Sequence, residues 1–222
     1  MGIGVHVVTA ANRHLYADQI EDHYRRRHEI YVGERGWMDL DRPDGREVDQ
    51  FDNQDAVYLL ALEGNKVVGG SRLVPTLSPH LISDVFPDMA AIRGIPCGED
   101  IYEWTRIFVV PERREENSYS QVGSQVMCAI QELALEEGIE RLTAIVEMWW
   151  LQRFFDCGWD PQPLGLPRLL DGSYAMAIEM KVSDIALNTT REFRNVTGPC
   201  LERHGPQQEL VANRETKYVR SA

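Results

Sequence analysis

The sequence is short of several things, and each shortage narrows what the chain can be. No stretch approaches the roughly 20 consecutive apolar residues that span a bilayer, so no membrane span is expected. Met1 to Ala10 lacks the basic start of a secretory signal. The four cysteines, Cys97, Cys128, Cys157 and Cys200, stand far apart with no Cys-x-x-Cys pair. They read as reduced thiols of a cytoplasmic protein, and no zinc ligand set or other metal site is expected. Lysine is scarce, with 3 against 20 arginines, and the net charge of −12 offers no basic face for nucleic acid. There is no internal repeat, no low-complexity tract and no convincing domain boundary.

What remains is an ordinary globular composition of 222 residues with 43% hydrophobic and 26% charged side chains. A core of this size folds without disulfides or a structural metal. An acidic chain of this length is expected to be a monomer. The pattern predicts a strand over Gly4–Thr9 and an amphipathic helix from Asn12 to Val32 with Asn12 as N-cap. A long polar loop follows over Gly33–Asp55, and loops of that length in compact domains are usually functional or disordered. Strands fit Ala56–Leu62 and Val67–Val74, joined by the hairpin signal Gly64-Asn65. A short helix fits Leu81–Phe86, a strand Tyr102–Val110, and a helix Tyr119–Glu137 stopped by Gly138. A strand over Leu142–Val146, a helix over Trp149–Cys157, a strand over Tyr174–Val182 and a helix over Ser183–Val196 complete the pattern. The reading is α/β (α+β) with one domain, residues 1–198, and a polar, poorly ordered tail, residues 199–222.

Six charges lie beside apolar segments. Arg27 shares a helix face with Ile20, Tyr24 and Tyr31, whereas Arg25 and Arg26 point elsewhere. A guanidinium on such a face wants a carboxylate or phosphate, or snorkels at the core edge. Asp49 and Asp52 flank Phe51 in the long loop, where Trp37 could give a cation–π contact. Arg72 shares a strand face with Val68, Gly70 and Val74, and the two aspartates are its candidate partners. Glu103 and Arg106 would face opposite sides of a regular strand, so if both serve one site a bulge must lie between them. Such a set suits a ligand with both a cation and a carboxylate.

The string Arg27-x3-Tyr31-x5-Trp37, then Asp49-Gln50-Phe51-Asp52, Ser71-Arg72-Leu73-x-Pro75-Thr76, Asp84-x-Phe86-Pro87 and Glu103-Trp104-Thr105-Arg106-Ile107-Phe108-Val109 resembles the LuxI-type acyl-homoserine lactone synthases over roughly residues 5–180. Tyr31 stands where that family usually has Phe. The resemblance implies an acetyltransferase-like (GNAT-related) fold, a mixed V-split sheet flanked by helices. It implies S-adenosylmethionine (SAM) and an acyl thioester as substrates, no cofactor, and a quorum-sensing signal as product. On it, Arg27, Tyr31, Trp37, Asp49, Asp52, Arg72, Phe86, Arg106 and Phe108 bind SAM or organise its site. Trp37, Asp49 and Asp52 suit the cationic part of SAM, directly or by holding the loop, Arg106 suits its carboxylate or a backbone carbonyl near it, and Arg27 and Arg72 suit ion pairs that hold the acidic loop over the sheet. Glu103 is the candidate general base, directly or through a water. Backbone N–H groups of the irregular strand are candidates for the oxyanion hole.

The acyl wall is expected from Trp104, Thr105, Ile107, Ala144, Ile145, Val146, Met148, Trp149, Trp150, Leu151 and Phe154, with Trp150 and Phe154 equally readable as plain core. In the family that the chain resembles, a Thr on this strand accompanies 3-oxo donors; the nearest match is Ala144, with Thr143 one residue off and on the other face, so the resemblance implies no 3-oxo function, and the adjacent tryptophans suggest a short, branched or aromatic acyl group. Glu116–Gly123 lacks the Arg-x-x-Gly-x-Gly phosphate loop of acetyltransferases. Carrier proteins are acidic and this chain repels them overall, although Arg25, Arg26, Arg113, Arg114, Arg141 and Arg153 could form a basic patch. The overall pattern is similar to the rhizobial branch that uses branched or aryl acyl-CoA. Acyl-CoA is the expected donor, isovaleryl-like first and aryl second, with acyl carrier protein as the alternative. A plain N-acyltransferase that does not use SAM, and a non-catalytic binding module, are the rival readings.

Overall fold

The computed structural model describes residues 2–116 and 119–212. One mixed sheet runs through the molecule, built from β1 (Gly4–Val8), β2 (Val57–Glu63), β3 (Lys66–Pro75), β4 (Ile101–Val109), β5 (Arg141–Glu147), β6 (Gln162–Pro163), β7 (Arg168–Leu170), β8 (Ser173–Lys181) and β9 (Leu201–Glu202). Its order is β6-β8-β5-β4-β3-β2-β1-β9, with β7 also on β8. β1 to β4 are successively antiparallel, and the Gly64-Asn65 turn pairs Glu63 with Lys66 as its sequence demands.

β4 and β5 are parallel and pair only over Ile101–Glu103 and Arg141–Thr143. Beyond Glu103 and Thr143 the ladder stops although both strands continue, so the sheet opens into a V. The expected mixed, V-split sheet is present.

Two adjacent glycines at the middle of β3 let helices approach from opposite sides. A Cβ at Gly69 would lie 2.8 Å from Val122 of α3 (Gln121–Glu137), and one at Gly70 would lie 3.0 Å from His23 of α1 (Ala17–His28). α3 buries Val122, Val126, Ala129, Ile130 and Leu133, the spacing read from sequence. It starts at Gln121 and not at Tyr119, because the Ser120 hydroxyl accepts the Gly123 N–H and fixes the first turn. Gly138 ends it at φ +75°. α5 (Asp184–Arg194) packs on α3, capped by Ser183.

The first helix differs from the continuous one expected. Arg13–Tyr16 forms a 3-10 turn, α1 follows, and Glu29–Glu34 is a π turn that buries Ile30, Tyr31 and Val32 together. Asn12 does not cap forward: its amide donates to the carbonyls of Val7 and His204 and accepts the Thr9 N–H. α2 is the short Leu81–Asp84, and α4 is Trp150–Asp156. Residues 80–90 cover a small second core of Ile82, Met89, Ala90, Leu164, Ala175 and Ala177.

The expected tail also differs over its described part. β9 pairs in parallel with β1, the Glu132 carboxylate accepts the N–H groups of Cys200 and Leu201, and Tyr102 donates to the Leu210 carbonyl. Residues 213–222 lie outside the described residues.

Candidate active site

The long loop folds under α1 because three buried guanidiniums need carboxylates. Arg27 holds Asp52 through two bonds, at 2.7 and 2.9 Å, and also meets Glu47 at 2.5 Å. Arg72 holds Asp49 through two bonds, at 2.6 and 3.0 Å, and lies 2.8 Å from Asp52. Arg106 holds Glu47 through two bonds, both at 3.0 Å, and Asp49 at 2.9 Å. Paired bonds of this kind are the strong form of Arg–carboxylate contact. The three cations and three anions thus form a closed set.

Burial raises the Glu47 carboxyl, but Arg106 and Arg27 outweigh it and bring it to about 2. Burial acts the same way on Asp52, and Arg27 and Arg72 hold it far below the usual carboxylate range. Glu47 is the partner that sequence reading missed. Three arginines on apolar faces called for a third carboxylate, and Glu47 sits two residues before Asp49.

The bulge required on β4 is there. Gly70 pairs with Phe108 and Arg72 with Thr105, so Arg106 and Ile107 together oppose Ser71. Arg106 takes φ +56°, in the left-handed region. This turns Arg106 to the face that carries Arg72 and Glu103. Tyr31 donates to the Ile107 carbonyl at 2.9 Å and so ties the π turn to the bulge.

Glu103 stands at the apex of the V, the last β4 residue paired to β5. It is fully buried, and its oxygens accept the N–H groups of Leu81 (2.7 Å) and Ile82 (2.8 Å) at the start of α2. Burial raises its pKa, partly offset by the Ile82 N–H, His80 and the Leu81 N–H. Its cross-strand neighbour Thr143 is buried with a hydroxyl that has no hydrogen-bond partner among the described residues, and so does His80 Nε2. His80 was not singled out from sequence, and Thr143 was weighed there only as the threonine one residue off from Ala144.

Trp37 is stacked on Tyr31 (5.2 Å, 7°) and carries the Arg35 guanidinium 5.3 Å from its ring centre. The cation–π contact expected for SAM is here made by Arg35. Phe86 packs on the second core and Phe108 on His23 (5.3 Å).

Past the bulge, the end of β4 borders a groove of about 340 Å³. Ile107, Phe108, Trp149 and Trp150 line it together with Tyr119, Arg153, Arg194, the Arg114–Glu34 pair, Arg35 and Glu115. Trp149 stacks on Trp150 (5.0 Å) and Trp150 on Phe154 (5.6 Å). The rest of the expected acyl wall divides. Trp104, Ala144 and Phe154 are core beneath the groove, with Val146 and Leu151 packed against that core. Met148 is part exposed. Two expectations fail on geometry: Thr105 is on the ion-pair face, bonded to Arg72 Nε, and Ile145 faces the second core. A one-residue step on a strand reverses the face, and the sequence did not fix that parity.

The basic patch is also different. Arg25, Arg26, Arg113, Arg114 and Arg141 each pair with a carboxylate. Arg153 lies on the rings of Trp149, Trp150 and Tyr119 instead. Arg194, missed from sequence, is mostly buried, 3.7 Å from the Tyr119 ring centre, and its Nε and Nη1 have no hydrogen-bond partner among the described residues. It continues the buried Leu187–Thr190 face of α5, the same signal that exposed Arg27.

Residues 12–189 match the sequence pattern of the autoinducer synthase family. The chain is 46% identical over 208 residues to isovaleryl-homoserine lactone synthase of Bradyrhizobium diazoefficiens, covering 94% of this chain and 93% of that one. It superposes at a TM-score of 0.89 and 44% identity on a CoA-dependent acyl-homoserine lactone synthase, BjaI, solved with SAM and isopentyl-CoA, over 94% of this chain and 97% of that chain. The fold alone extends to an acyl-CoA N-acyltransferase from Pseudomonas aeruginosa, at 15% identity and a TM-score of 0.56, over 82% and 100% of the two chains.

Proposed function

The chain belongs to the autoinducer synthase family of acyltransferases, and from that premise we propose that it makes a short branched acyl-homoserine lactone from SAM and isovaleryl-CoA. The observation that carries this reading is the groove beyond Glu103, apolar at Ile107, Trp149 and Trp150 and cationic at Arg153 and Arg194. The apolar part suits an acyl chain, and the stacked tryptophans keep it short. Arg153, which lies on aromatic rings and pairs with no carboxylate among the described residues, suits the phosphates of CoA, and the buried Arg194 adds its charge from beneath Tyr119. The ion-paired state of Arg25, Arg26, Arg113, Arg114 and Arg141 argues against an acidic carrier protein as donor, because those charges are already neutralised.

The chemistry follows from the apex. The SAM ammonium gives a proton to Glu103, directly or through a water. The raised pKa of Glu103 suits it to accept that proton. The free amine attacks the thioester carbon, the carbonyl electrons collect on oxygen beside the bulged β4 backbone, and the C–S bond breaks to release CoA thiol. The SAM carboxylate then attacks the carbon beside the sulfonium. That C–S bond breaks, the lactone closes and methylthioadenosine leaves. Arg27, Asp52 and Arg72 hold the loop, while Tyr31, Trp37, Asp49, Phe86, Arg106 and Phe108 shape the SAM side. SAM and acyl-CoA are consumed as substrates, the working unit is one chain, and the cytoplasm supplies both substrates. Among the described residues no helix is long and apolar enough to cross a membrane.

The test is to incubate the purified chain with SAM and isovaleryl-CoA and to follow methylthioadenosine and free thiol together. Equal release of both is the expected result. Turnover with carrier-bound chains alone would overturn the donor, and thiol release without methylthioadenosine would overturn the use of SAM.

A further inference from the structure

At the far edge of the sheet, with β2 and β3 between it and β4, the fold brings together residues almost the whole chain apart. His6 of β1 pairs with Glu202 of β9, and His204 follows two residues later. His6 Nε2 lies 3.3 Å from Glu202 Oε2, and His204 Nε2 lies 3.3 Å from the same oxygen. The three ligand atoms lie within 4.8 Å of one another. Two ligand atoms on a tetrahedral ion at ~2.0–2.1 Å are themselves about 3.3 Å apart, so both contacts already have the spacing of one coordination edge.

We propose that His6, Glu202 and His204 bind a divalent transition-metal ion of the Zn²⁺ class, and that this ion clips the 199–212 segment to β1. Two imidazoles and one carboxylate are a donor set that such ions take and that Mg²⁺ and Ca²⁺ do not prefer. The first coordination partner is already oriented. His6 Nδ1 is 3.1 Å from the Tyr16 hydroxyl, so an Nδ1–H donated to that oxygen leaves the Nε2 lone pair for the ion. Glu202 is held close as well: its carboxylate occupies the space where a side chain at Gly4 would stand, 2.1 Å from that Cβ position. The His6 and His204 rings are stacked at 5.1 Å and 19°, so the exposed His204 rotates to bring its lone pair onto the ion. The ladder that holds β9 is only two residues long, which gives an added tie something to stabilise. The site is separate from the groove, and the inference does not rest on the synthase reading.

The test uses the full chain with no affinity tag, stripped by chelator and titrated with Zn²⁺ alone, read by calorimetry and by thermal melting. The expected result is one Zn²⁺ per chain, with a melting temperature that rises with Zn²⁺ concentration. His204→Ala and Glu202→Gln remove both effects, and Tyr16→Phe weakens binding ~10–100-fold. His204 is exposed, so its replacement leaves the fold intact and the stripped variant melts as the stripped parent does. Absence of saturable binding would overturn the proposal. So would binding of unchanged affinity in His204→Ala and Glu202→Gln, which would place the ion elsewhere, for instance on the exposed thiol of Cys97.

Discussion

Two groups of arginines sit within the same fold in opposite circumstances. Under α1, Arg27, Arg72 and Arg106 are each held by carboxylates, and the charges cancel within the protein. At the basic end of the groove, Arg153 and Arg194 lie on aromatic rings. A buried guanidinium whose partners are supplied by the chain organises structure. One that rests on rings and keeps free donors is available to an anionic ligand. The same residue type therefore does opposite work, and the carboxylate count around it tells which.

The largest expected effect lies at Glu103, a member of neither group. Glu103→Gln should lower kcat by ~10²–10⁴-fold, with the KM for both substrates little changed. If the rate holds, Glu103 serves only to anchor α2. Next is the closed network. Asp52→Ala leaves Arg27 and Arg72 short of a partner at a cost of about 3–5 kcal/mol, or roughly 10 °C in melting temperature. A shift of a degree or two would show that this set is as loosely bound as a surface pair.

Arg194→Met should reverse that pattern, with unchanged or higher melting temperature and a KM for isovaleryl-CoA raised ~10-fold, about 1.4 kcal/mol. The KM for SAM should stay put, and steady-state kinetics with each substrate varied decides it. Acid titration sharpens the contrast from the network side. The folded pKa of Glu47 is depressed, from 4.5 to about 2, so its contribution to stability is whole above pH 4.5 and is lost as pH falls toward 2. Urea unfolding across that window should lose less stability in Glu47→Gln than in the parent. The smallest effect is expected at the part-exposed pair Arg141–Glu179, where Arg141→Gln should move stability by about 1 kcal/mol or less and leave turnover unchanged.

Much of this was readable beforehand where a local rule operates. The β2–β3 hairpin followed from Gly64-Asn65, α3 from its apolar spacing and Gly138, and the burial of Arg27 from one helix face. The bulge at Arg106 followed from asking how Glu103 and Arg106 could share a face. What failed depended on partners distant in sequence. The break of the first helix into 3-10, α and π turns reflects contacts of Asn12 with Val7 and His204 and of Tyr31 with Ile107. Thr105 and Ile145 were misplaced because strand parity is set by pairing. Cys128 and Cys200, read as standing far apart, are both buried, and each thiol perturbs the other.

By itself the sequence determined the fold class, the hairpin, the need for carboxylate partners and the family, since all of these rest on spacing and residue type within short segments. Only the tertiary structure decided which carboxylate answers which arginine, which face of β5 meets the second core and which arginines stay without a carboxylate. It also decided that residues 6, 202 and 204 meet at one edge. These are matters of register and long-range packing, and neither is written in any local stretch of chain.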